Sequence, residues 1–449
     1  MAERPGDTKR IWIVCVGEPL PTDPERPRLL RAGILARMLT EKGHEVTWWT
    51  STMDHYQKRL RADRTVVIEG TECGRLILLH GIRYTKNTSL RRIINHVQIA
   101  NEFKRHAGTE TRPDVVLVSM PTIELARAAV SYAKELGIPS IVDIRDLWPD
   151  IIKEAVPRAA RPLLQPLFFH WEADLQYALK QATALVGVTE PFLEWGLRKA
   201  GRNKLGRDRV FHLATDPNLL DENPAAGDSR LFIPSETATE QPSAVPDELR
   251  EALRPAPDLV TGCFAGTLSS RLDLVTILEA ALILCETKKR KLRLIICGRG
   301  DLEYSIVRLA RKSDGIIFLG WVGSTVLSKI HKVSDFAIVP HRPSTDFVNH
   351  YPNKLGESLR FGLPILTPLK GLTRTLLASE GVGIFYRAGD VSSARTALMS
   401  IIENISYWRS RKSHSLELFN RHFDPHAIYN SYESHILKII RDFSVIGHH

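Results

Sequence analysis

The segment that decides the fold reads LRLIICGRG at residues 292–300. Leu292–Cys297 is a short, mostly apolar run, and Gly298-Arg299-Gly300 follows it directly before a helical pattern. A strand that is apolar along its length is typical of a parallel sheet covered on both faces. The two glycines allow a tight turn, and they equally allow a ligand to approach the backbone closely. The segment therefore predicts a strand-turn-helix unit in which Gly298 and Gly300 are candidate binding residues.

The same pattern recurs on both sides of this segment. The first series of predicted strands is Ile11–Gly17, Glu45–Thr50, Asp114–Ser119, Ser140–Ile144, Ala184–Thr189 and Val210–Leu213. The second series is Val260–Ala265, Leu292–Cys297, Ile316–Leu319, Phe336–Pro340 and Pro364–Thr367. Strands that alternate with helices indicate an α/β protein with doubly wound parallel sheets. Because ligands of such sheets bind beyond the carboxyl ends of the strands, the residues after each strand are the candidate site.

The length of 449 residues predicts two or three domains. A stretch with six prolines at 221–258 separates the two series of strands, and we interpret it as a linker with an irregular insertion. The chain is therefore expected to contain an N-terminal domain (1–220), this linker, a C-terminal domain (259–425) and a C-terminal helical segment (426–449).

The chain carries excess positive charge, with 61 Lys and Arg against 51 Asp and Glu and a formal net charge of +10. This excess indicates an anionic partner. Part of it lies in Tyr84–His106, an amphipathic helical pattern that fits lipid headgroups, a phosphate-bearing acceptor or a solvated helix face. Its candidate residues are Arg91, Arg92, Lys104 and Arg105. The sequence has no aromatic and basic platform typical of nucleic-acid binding, so we expect no nucleic-acid partner.

The cysteine pattern and the apolar runs bear on the compartment. The five cysteines are far apart and form no CxxC pair, which fits a reducing compartment. The apolar run Ile11–Val16 is too short for a signal peptide, and no uninterrupted run reaches the ~18 residues of a membrane span. No group of His, Asp or Glu has a convincing metal-ligand spacing. We therefore expect a cytoplasmic protein that binds no metal. Any contact with a membrane is expected at the inner face of that membrane.

Two motifs of the first series follow strands. Gly17 opens the loop between the first strand and a helix, an arrangement that can bind anions. Residues 143–150, DIRDLWPD, place three carboxylates and an arginine at the end of another strand. Such crowded charges are costly unless they are paired or used, so the cluster is either a salt-bridge network or part of a site. In the second case Arg145 and Asp146 are candidate site residues.

Two motifs of the second series suit a phosphate ligand. Residues 266–271, GTLSSR, follow a strand and offer backbone N–H groups, hydroxyls and the guanidinium of Arg271. Residues 349–364, NHYPNKLGESLRFGLP, predict a helix with Pro352 in its first turn. Lys354 then lies near the positive end of the helix and can bind a diphosphate, while Glu357 lies one turn on and can accept ribose hydroxyls. The alternative is a Lys and Glu pair that only complements the helix dipole.

Taken in order, these motifs resemble those of the family-four retaining glycosyltransferases of GT-B architecture, especially the branch that builds bacterial surface polysaccharides and includes amino-sugar transferases. The residues that carry the resemblance are Arg31, Gly43-His44-Glu45-Val46-Thr47, DIRDLWP at 143–149, Glu172, Val188-Thr189-Glu190, Gly298, Gly300, Gly320, Ser334-Asp335, Pro352–Glu357, Gly362 and Pro364. The resemblance implies two Rossmann-like domains that face a central cleft, with the C-terminal helix crossing back onto the N-terminal domain. The sequence departs from the family at Asn349, where a glutamate is expected, and at Arg271, which stands alone where an arginine-lysine pair is expected.

The resemblance also implies a reaction. A hexosyl or N-acetylhexosaminyl unit is expected to be transferred from a nucleotide-diphosphate sugar to a hydroxyl acceptor such as a lipid-linked saccharide. A UDP-sugar is the first candidate for the donor. The transfer is expected to retain the anomeric configuration and to need no cofactor. The expected catalytic residues are Arg145, Asp146 and Glu357, and the expected donor-binding residues are Gly17, Arg271, Gly298, Gly300, Asn349, Asn353, Lys354 and Glu357. The departures leave two alternatives open: a non-catalytic GT-B scaffold that binds a sugar nucleotide or a protein partner, and a sugar-nucleotide 2-epimerase.

Overall fold

The structure, a computed structural model, describes residues 8–24, 27–87, 89–157, 159, 161–216, 247–254, 259–287 and 291–446. The chain divides into two compact units: unit 1 is Met1–Asp216 with Pro425–His449, and unit 2 is Pro217–Asp424. No helix within the described residues has the length and apolar character needed to cross a membrane.

Unit 1 is built on a mostly parallel sheet. Its strands are β1 (Arg10–Val14), β2 (Glu45–Ser51), β3 (Met53–Asp54), β4 (Arg59–Leu60), β5 (Val66–Thr71), β6 (Gly74–Leu79), β7 (Val115–Ser119), β8 (Ser140–Ile144), β9 (Ala184–Gly187) and β10 (Arg209–Val210). Eight of them form one sheet in the order β10-β9-β8-β7-β1-β2-β6-β5, and β3 and β4 form a separate hairpin. The central strand β1 is almost wholly buried, as its apolar sequence predicts.

Helices on both faces of this sheet enclose two apolar cores. They include α1 (Arg31–Glu41), α2 (Leu90–Ala107), α3 (Ile123–Glu135), α4 (Asp150–Ala155), α5 (Arg161–Gln181) and α6 (Glu190–Ala200). β5 and β6 pair antiparallel at the sheet edge, and neither is among the strands predicted from the sequence. β5 escapes a search for continuous apolar runs because one of its faces lies in solvent. In β6, residues 76–79 do form a continuous buried apolar run, so that strand could have been predicted.

Unit 2 is built on a second sheet, in which all strands are parallel. Its strands are β11 (Val260–Ala265), β12 (Leu292–Cys297), β13 (Ile316–Gly320), β14 (Phe336–Ile338), β15 (Ile365–Thr367) and β16 (Gly383–Phe385). Their order is β13-β12-β11-β14-β15-β16. Its helices are α7 (Asp247–Leu253), α8 (Leu274–Thr287), α9 (Glu303–Ala310), α10 (Ser324–Val333), α11 (Thr345–Val348), α12 (Asn353–Leu359), α13 (Gly371–Ser379), α14 (Val391–Glu403), α15 (Ile405–Ser410) and α16 (Lys412–His422).

The proline-rich stretch 221–258 is described only at residues 247–254. There the irregular structure expected from the sequence is wrong, because Asp247–Leu253 form α7. The buried guanidinium of Arg293 donates hydrogen bonds to the carbonyls of Glu251 and Arg254, at 3.1 and 2.9 Å. These bonds satisfy carbonyls at the end of α7, which have no partner inside the helix.

The last helix, α17 (Pro425–Ile446), belongs to unit 1. Its side chains Tyr429, Tyr432 and Ile436 are fully buried in a core that includes β1 and α1. The Tyr432 ring stacks on Phe211 with 4.5 Å between ring centroids. Apolar side chains on one face of this long helix therefore anchor it to the sheet of unit 1.

Candidate functional site

A pocket of about 260 Å³ lies within unit 1 at the carboxyl ends of the central strands. Gly17 and Glu18 reach it from the loop after β1, and Arg145 and Asp146 reach it from the loop after β8. Arg92 of α2 lines the same pocket. Four of the residues singled out from the sequence therefore meet at the edge where parallel sheets bind ligands.

Arg145 is an ion-paired residue of this pocket. Its Nη1 lies 2.5 Å from Oε1 of Glu18 and donates a hydrogen bond to Ser119 Oγ at 2.9 Å. The same carboxylate accepts hydrogen bonds from the backbone N–H groups of Ala32 and Gly33 in the first turn of α1. Burial by itself lowers the pKa of Arg145, but the attraction of Glu18 and other nearby groups outweighs it and raises that pKa. Arg145 thus fixes the loop that carries Asp146.

The three carboxylates of DIRDLWPD have different surroundings. Asp143 forms a buried ion pair with Arg31 at 2.7 Å, and Asp150 pairs with Lys199 at 2.8 Å. Asp146 lines the pocket, and its Oδ1 accepts a hydrogen bond from the backbone N–H of the next residue. Two of the carboxylates therefore form structural ion pairs, and the third lies at the pocket.

The four cations predicted as one basic edge of α2 lie in different environments. Arg92 is partly buried in the pocket, with its Cζ 4.5 Å from the Trp148 ring centroid. Arg91, Lys104 and Arg105 are exposed. Successive helical residues are about 100° apart around the axis, so neighbours such as Arg91 and Arg92 face different directions. Arg92 therefore lies apart from the three exposed cations.

The pocket also contains aromatic and histidine side chains that the sequence analysis missed, among them His55, Tyr84 and His96. Tyr84 Oη lies at hydrogen-bond distance, 2.8 Å, from His55 Nδ1. Burial, with nearby positive charge, lowers the pKa of His55 to about 4 and that of His96 to about 3, so both rings are neutral at pH 7. The position of His55 shortly after β2 is a signal that could have identified it.

In unit 2 the loops after β11 and β12 pack closely through glycines. Gly266, Gly298 and Gly300 have φ angles of +151°, +141° and +146°. A Cβ on Gly298 would lie 1.9 Å from the carbonyl oxygen of Gly266, and one on Gly300 would lie 2.6 Å from that of Leu268. The loops are joined by a 2.8 Å hydrogen bond from Leu268 N to the Arg299 carbonyl. Glycine is therefore required at 298 and 300 because the loop after β11 comes close to the backbone there.

Lys354 lies directly over Gly266. A Cβ on Gly266 would be 1.9 Å from Nζ and 2.1 Å from Cε of Lys354, so any other residue at 266 would displace the ammonium group from this position. The ammonium is 5.6 Å from the ring centroid of Phe264 in β11. Lys354 belongs to the first turn of α12, which begins at Asn353 with Pro352 as its N-cap. Pro352 therefore precedes the helix by one residue instead of lying in its first turn.

The two positions at which the sequence departs from the family have partners of their own. Arg271 is exposed, forms an ion pair with Asp346 and stacks on Phe347 with 4.2 Å from Cζ to the ring centroid. Asn349 Nδ2 donates a 2.7 Å hydrogen bond to the carbonyl of Thr345. Both side chains are therefore held by residues of α11.

His341 is a further residue of this region that the sequence analysis missed. It follows the predicted strand Phe336–Pro340 directly, which is the signal that could have identified it. Only 9% of His341 is exposed, and its Nδ1 has no hydrogen-bond partner within the described residues. Burial, together with the positive charge of Lys354, lowers its pKa to about 3. His341 is therefore a buried neutral ring on which the charge of Lys354 acts.

Glu357 and Asn353 lie on α12 with Lys354. Asn353 is exposed, and Glu357 is partly exposed. The carboxylate of Glu357 acts electrostatically on His331, whose ring stacks on Phe361 at 4.6 Å. Within the described residues, no group of three or more His, Cys, Asp or Glu could hold a metal ion.

Solved structures define the class of this fold. Sucrose-phosphate synthase from Thermosynechococcus elongatus is 15% identical with a TM-score of 0.67, and the match covers 97% of this chain and 100% of that one. The E. coli structure described as trehalose-6-phosphate bound with UDP-2-fluoro glucose is 11% identical with a TM-score of 0.66, covering 95% and 99%. Anabaena HepE in complex with UDP is 13% identical with a TM-score of 0.60, covering 96% and 99%. The chain has two Rossmann-like domains of the GT-B type, which confirms the predicted fold class.

The family follows from the sequence matches. Residues 260–404 match the family described as Glycosyl transferases group 1, and residues 30–205 match the Glycosyl transferase 4-like domain. No curated protein matches the chain at a significant level. The chain belongs to the group 1 glycosyltransferases of GT-B fold, so the prediction of a glycosyltransferase is confirmed at this level.

Proposed function

We propose that the protein transfers a sugar from a UDP-sugar to a hydroxyl group of an acceptor, with retention of anomeric configuration. The observation that carries the proposal is the ammonium group of Lys354, held over Gly266 at the carboxyl end of β11. This is the edge at which nucleotides bind to such sheets, and a cation there stabilises the charge that develops on a departing diphosphate. Anabaena HepE, of similar fold, binds UDP and UDP-glucose.

The donor is proposed to bind to unit 2. Lys354 binds the diphosphate, and the carboxylate of Glu357 accepts hydrogen bonds from the ribose hydroxyls. Asn349, Asn353 and the backbone at Gly298 and Gly300 complete the donor site. The exposed guanidinium of Arg271 can exchange Asp346 for a phosphate oxygen. The family resemblance adds Gly17, in the loop after β1, to the proposed donor-binding residues.

The acceptor is proposed to bind in the pocket of unit 1. Asp146 accepts the proton of the acceptor hydroxyl, whose oxygen bonds to the anomeric carbon as the bond from that carbon to UDP breaks and UDP keeps the electron pair. Arg145 positions Asp146 through its ion pair with Glu18. In the alternative, the departing diphosphate accepts the proton, and Asp146 is then not required for turnover.

The class of donor and acceptor follows from the family resemblance. We propose a UDP-linked hexose or N-acetylhexosamine as donor and a lipid-linked saccharide as acceptor, in the synthesis of a surface polysaccharide or glycoconjugate. A cytoplasmic enzyme would meet such an acceptor at the inner face of the membrane. Leu90, Ile94 and Val97 support this contact because they form an exposed apolar stripe on α2, next to the exposed cation Arg91.

Donor binding is tested by the thermal stability of the full chain with UDP, UDP-glucose and UDP-N-acetylglucosamine. We expect at least one of them to raise the midpoint of unfolding, because a ligand that binds only the folded state stabilises it. Glu357→Ala is expected to lower the affinity for this nucleotide by about tenfold to a hundredfold, because hydrogen bonds to a charged group are lost. Glu417→Ala, at an exposed position of α16, is the control. If no nucleotide stabilises the chain, the donor site is wrong.

The products distinguish the proposal from its alternatives. Release of UDP that depends on an acceptor, with the donor's anomeric configuration kept in the product, supports the proposal. An inverted product contradicts retention. Conversion of the donor into its epimer indicates a 2-epimerase, and binding without turnover indicates a scaffold.

Membrane contact is tested by flotation of the protein with anionic phospholipid vesicles. Replacing Leu90, Ile94 and Val97 together by serine is expected to abolish flotation, because the apolar area that enters the membrane interface is lost. Arg91→Glu is expected to weaken flotation at low salt only, because electrostatic attraction to lipid is screened by ions. Lys180→Glu, at an exposed position of α5, controls for net charge. Flotation that is absent, or unchanged in the serine variant, would contradict the contact.

A further inference from the structure

Two cations flank one tyrosine of the unit 1 pocket. Lys58 Nζ lies 5.2 Å from the ring centroid of Tyr84, and Arg92 Cζ lies 6.0 Å from it. Tyr84 and Arg92 line the pocket, and Lys58 follows the short strand β3 in its hairpin turn. The positive charges of two elements distant in sequence therefore meet at this side of the pocket.

The hydrogen-bond partners of both cations are neutral. The side-chain oxygen of Asn87 accepts a hydrogen bond from Lys58, and the backbone carbonyl of Asn87 accepts one from Arg92 at 2.9 Å. Arg92 Nε lies 3.3 Å from Nε2 of His96. Among the described residues, neither cation forms an ion pair with a carboxylate. Asn87 therefore holds two positive charges near each other without neutralising either one.

The carboxylates around this pair have other partners. Asp54 accepts hydrogen bonds from two backbone N–H groups and faces Arg59 and Arg61. Glu124 accepts a hydrogen bond from Trp171 Nε1, and burial raises its pKa. Asp146 acts electrostatically on Arg92 but is also hydrogen-bonded to the backbone. Burial, then the repulsion of Arg92, lowers the pKa of Lys58, as expected when positive charge is not compensated.

Two local features place positive charge here although each lowers the stability of the folded protein. Lys58 has φ +54°, and no other non-glycine residue in the described part of the chain has a positive φ. A lysine there is less favourable than glycine, which adopts this conformation freely. The first turn of α2 contains Arg91 and Arg92 and no acidic residue, although the positive end of a helix favours negative charge. An anion bound here would be stabilised by both features.

We propose that Lys58 and Arg92, with Asn87 between them, form a binding site for a phosphate group of the acceptor at the edge of the unit 1 pocket. The inference rests on the proposed function in that it takes this pocket as the acceptor site. A guanidinium and an ammonium together match the several oxygens of a phosphate or diphosphate. The neutral ring of His55 and the hydroxyl of Tyr84 offer further hydrogen bonds. The acceptor is therefore a phosphorylated compound, either a lipid phosphate or a soluble sugar phosphate.

The test measures binding by calorimetric titration of the full-length Lys354→Ala variant, in which the donor diphosphate site is disabled. The probes are inorganic pyrophosphate, glucose 1-phosphate, farnesyl diphosphate and farnesol. We expect pyrophosphate to bind and Lys58→Gly in this background to weaken it by at least about tenfold, the loss of one charge-assisted hydrogen bond. Lys58→Gly removes the cation while relieving the positive φ, so it is not expected to lower the midpoint of thermal unfolding. Lys180→Gln is the control for net charge.

The two anionic organic probes distinguish the source of the phosphate. Binding of farnesyl diphosphate alone indicates a lipid-linked acceptor, and binding of glucose 1-phosphate as well indicates a soluble one; either supports the site if Lys58→Gly and Arg92→Gln weaken it. The proposal is overturned if pyrophosphate binds and neither substitution weakens its binding. It is also overturned if farnesol binds as well as farnesyl diphosphate does. If UDP-sugars fail to bind the wild-type chain while pyrophosphate binds through Lys58, the proposed function fails and the phosphate site stands.

Discussion

The Gly266→Ala variant is expected to transfer sugar from its UDP donor about 10²–10³ times more slowly than the wild type, the usual cost of removing one group that stabilises transition-state charge. The added methyl group would lie 1.9 Å from the position of Lys354 Nζ, so the ammonium group must shift away from its place over residue 266. Lys354→Ala is expected to show a loss of the same size. The measurement is kcat/KM with a saturating acceptor.

The comparison with other variants separates displacement of Lys354 from backbone strain. Gly389 also has a positive φ, of +75°, but a Cβ added there would have no atom of the described residues within 4 Å. Gly389→Ala therefore adds strain at a positive φ without displacing Lys354, and it is expected to keep its activity. In the Lys354→Ala background, Gly266→Ala should lower activity little further, because both substitutions remove the same ammonium group. Losses that multiply in the double variant would show that Gly266 acts independently of Lys354.

Local patterns in the sequence predict much of the fold and part of the candidate site. Leu292–Cys297 is a strand, as expected for a continuous apolar run that ends at a glycine turn and is buried between the helices of an α/β protein. Arg145 and Asp146 could be placed at the edge that holds the pocket because residues that follow strands of a parallel sheet share one edge. Such predictions need only the order of elements along the chain.

Contacts between distant residues could not be predicted in the same way. Gly266 was recognised as a loop residue, but the lysine that requires it lies on a helix far along the chain. Arg92 belongs to a helix whose basic pattern predicts a surface, and only packing shows that it enters a pocket. Arg293 was expected in an apolar strand, and it is tolerated there because α7 supplies carbonyl acceptors. Each case depends on three-dimensional proximity, which a single sequence does not record.

The Arg31→Met variant is expected to lower the free energy of unfolding of unit 1 by about 3–5 kcal/mol, because it leaves the buried carboxylate of Asp143 without its counter-charge. The two side chains are 2% and 4% exposed and joined by hydrogen bonds of 2.7 and 3.3 Å. Arg31 also donates to the carbonyl of His212 at 3.0 Å, and its Cζ lies 5.0 Å from the ring centroid of Tyr432 in α17. One substitution therefore loosens α1, β8 and the C-terminal helix together.

Denaturant unfolding followed by tryptophan fluorescence measures this loss, since six of the eight tryptophans lie in unit 1. The control is Arg105→Met, which removes an ion pair with Glu102 whose arginine is 74% exposed, and it should cost at most about 1 kcal/mol. Adding Asp143→Leu to Arg31→Met is expected to restore part of the stability, because the uncompensated charge is then absent. A double variant less stable than Arg31→Met would mean that the Asp143 carboxylate stabilises unit 1 through contacts other than its ion pair.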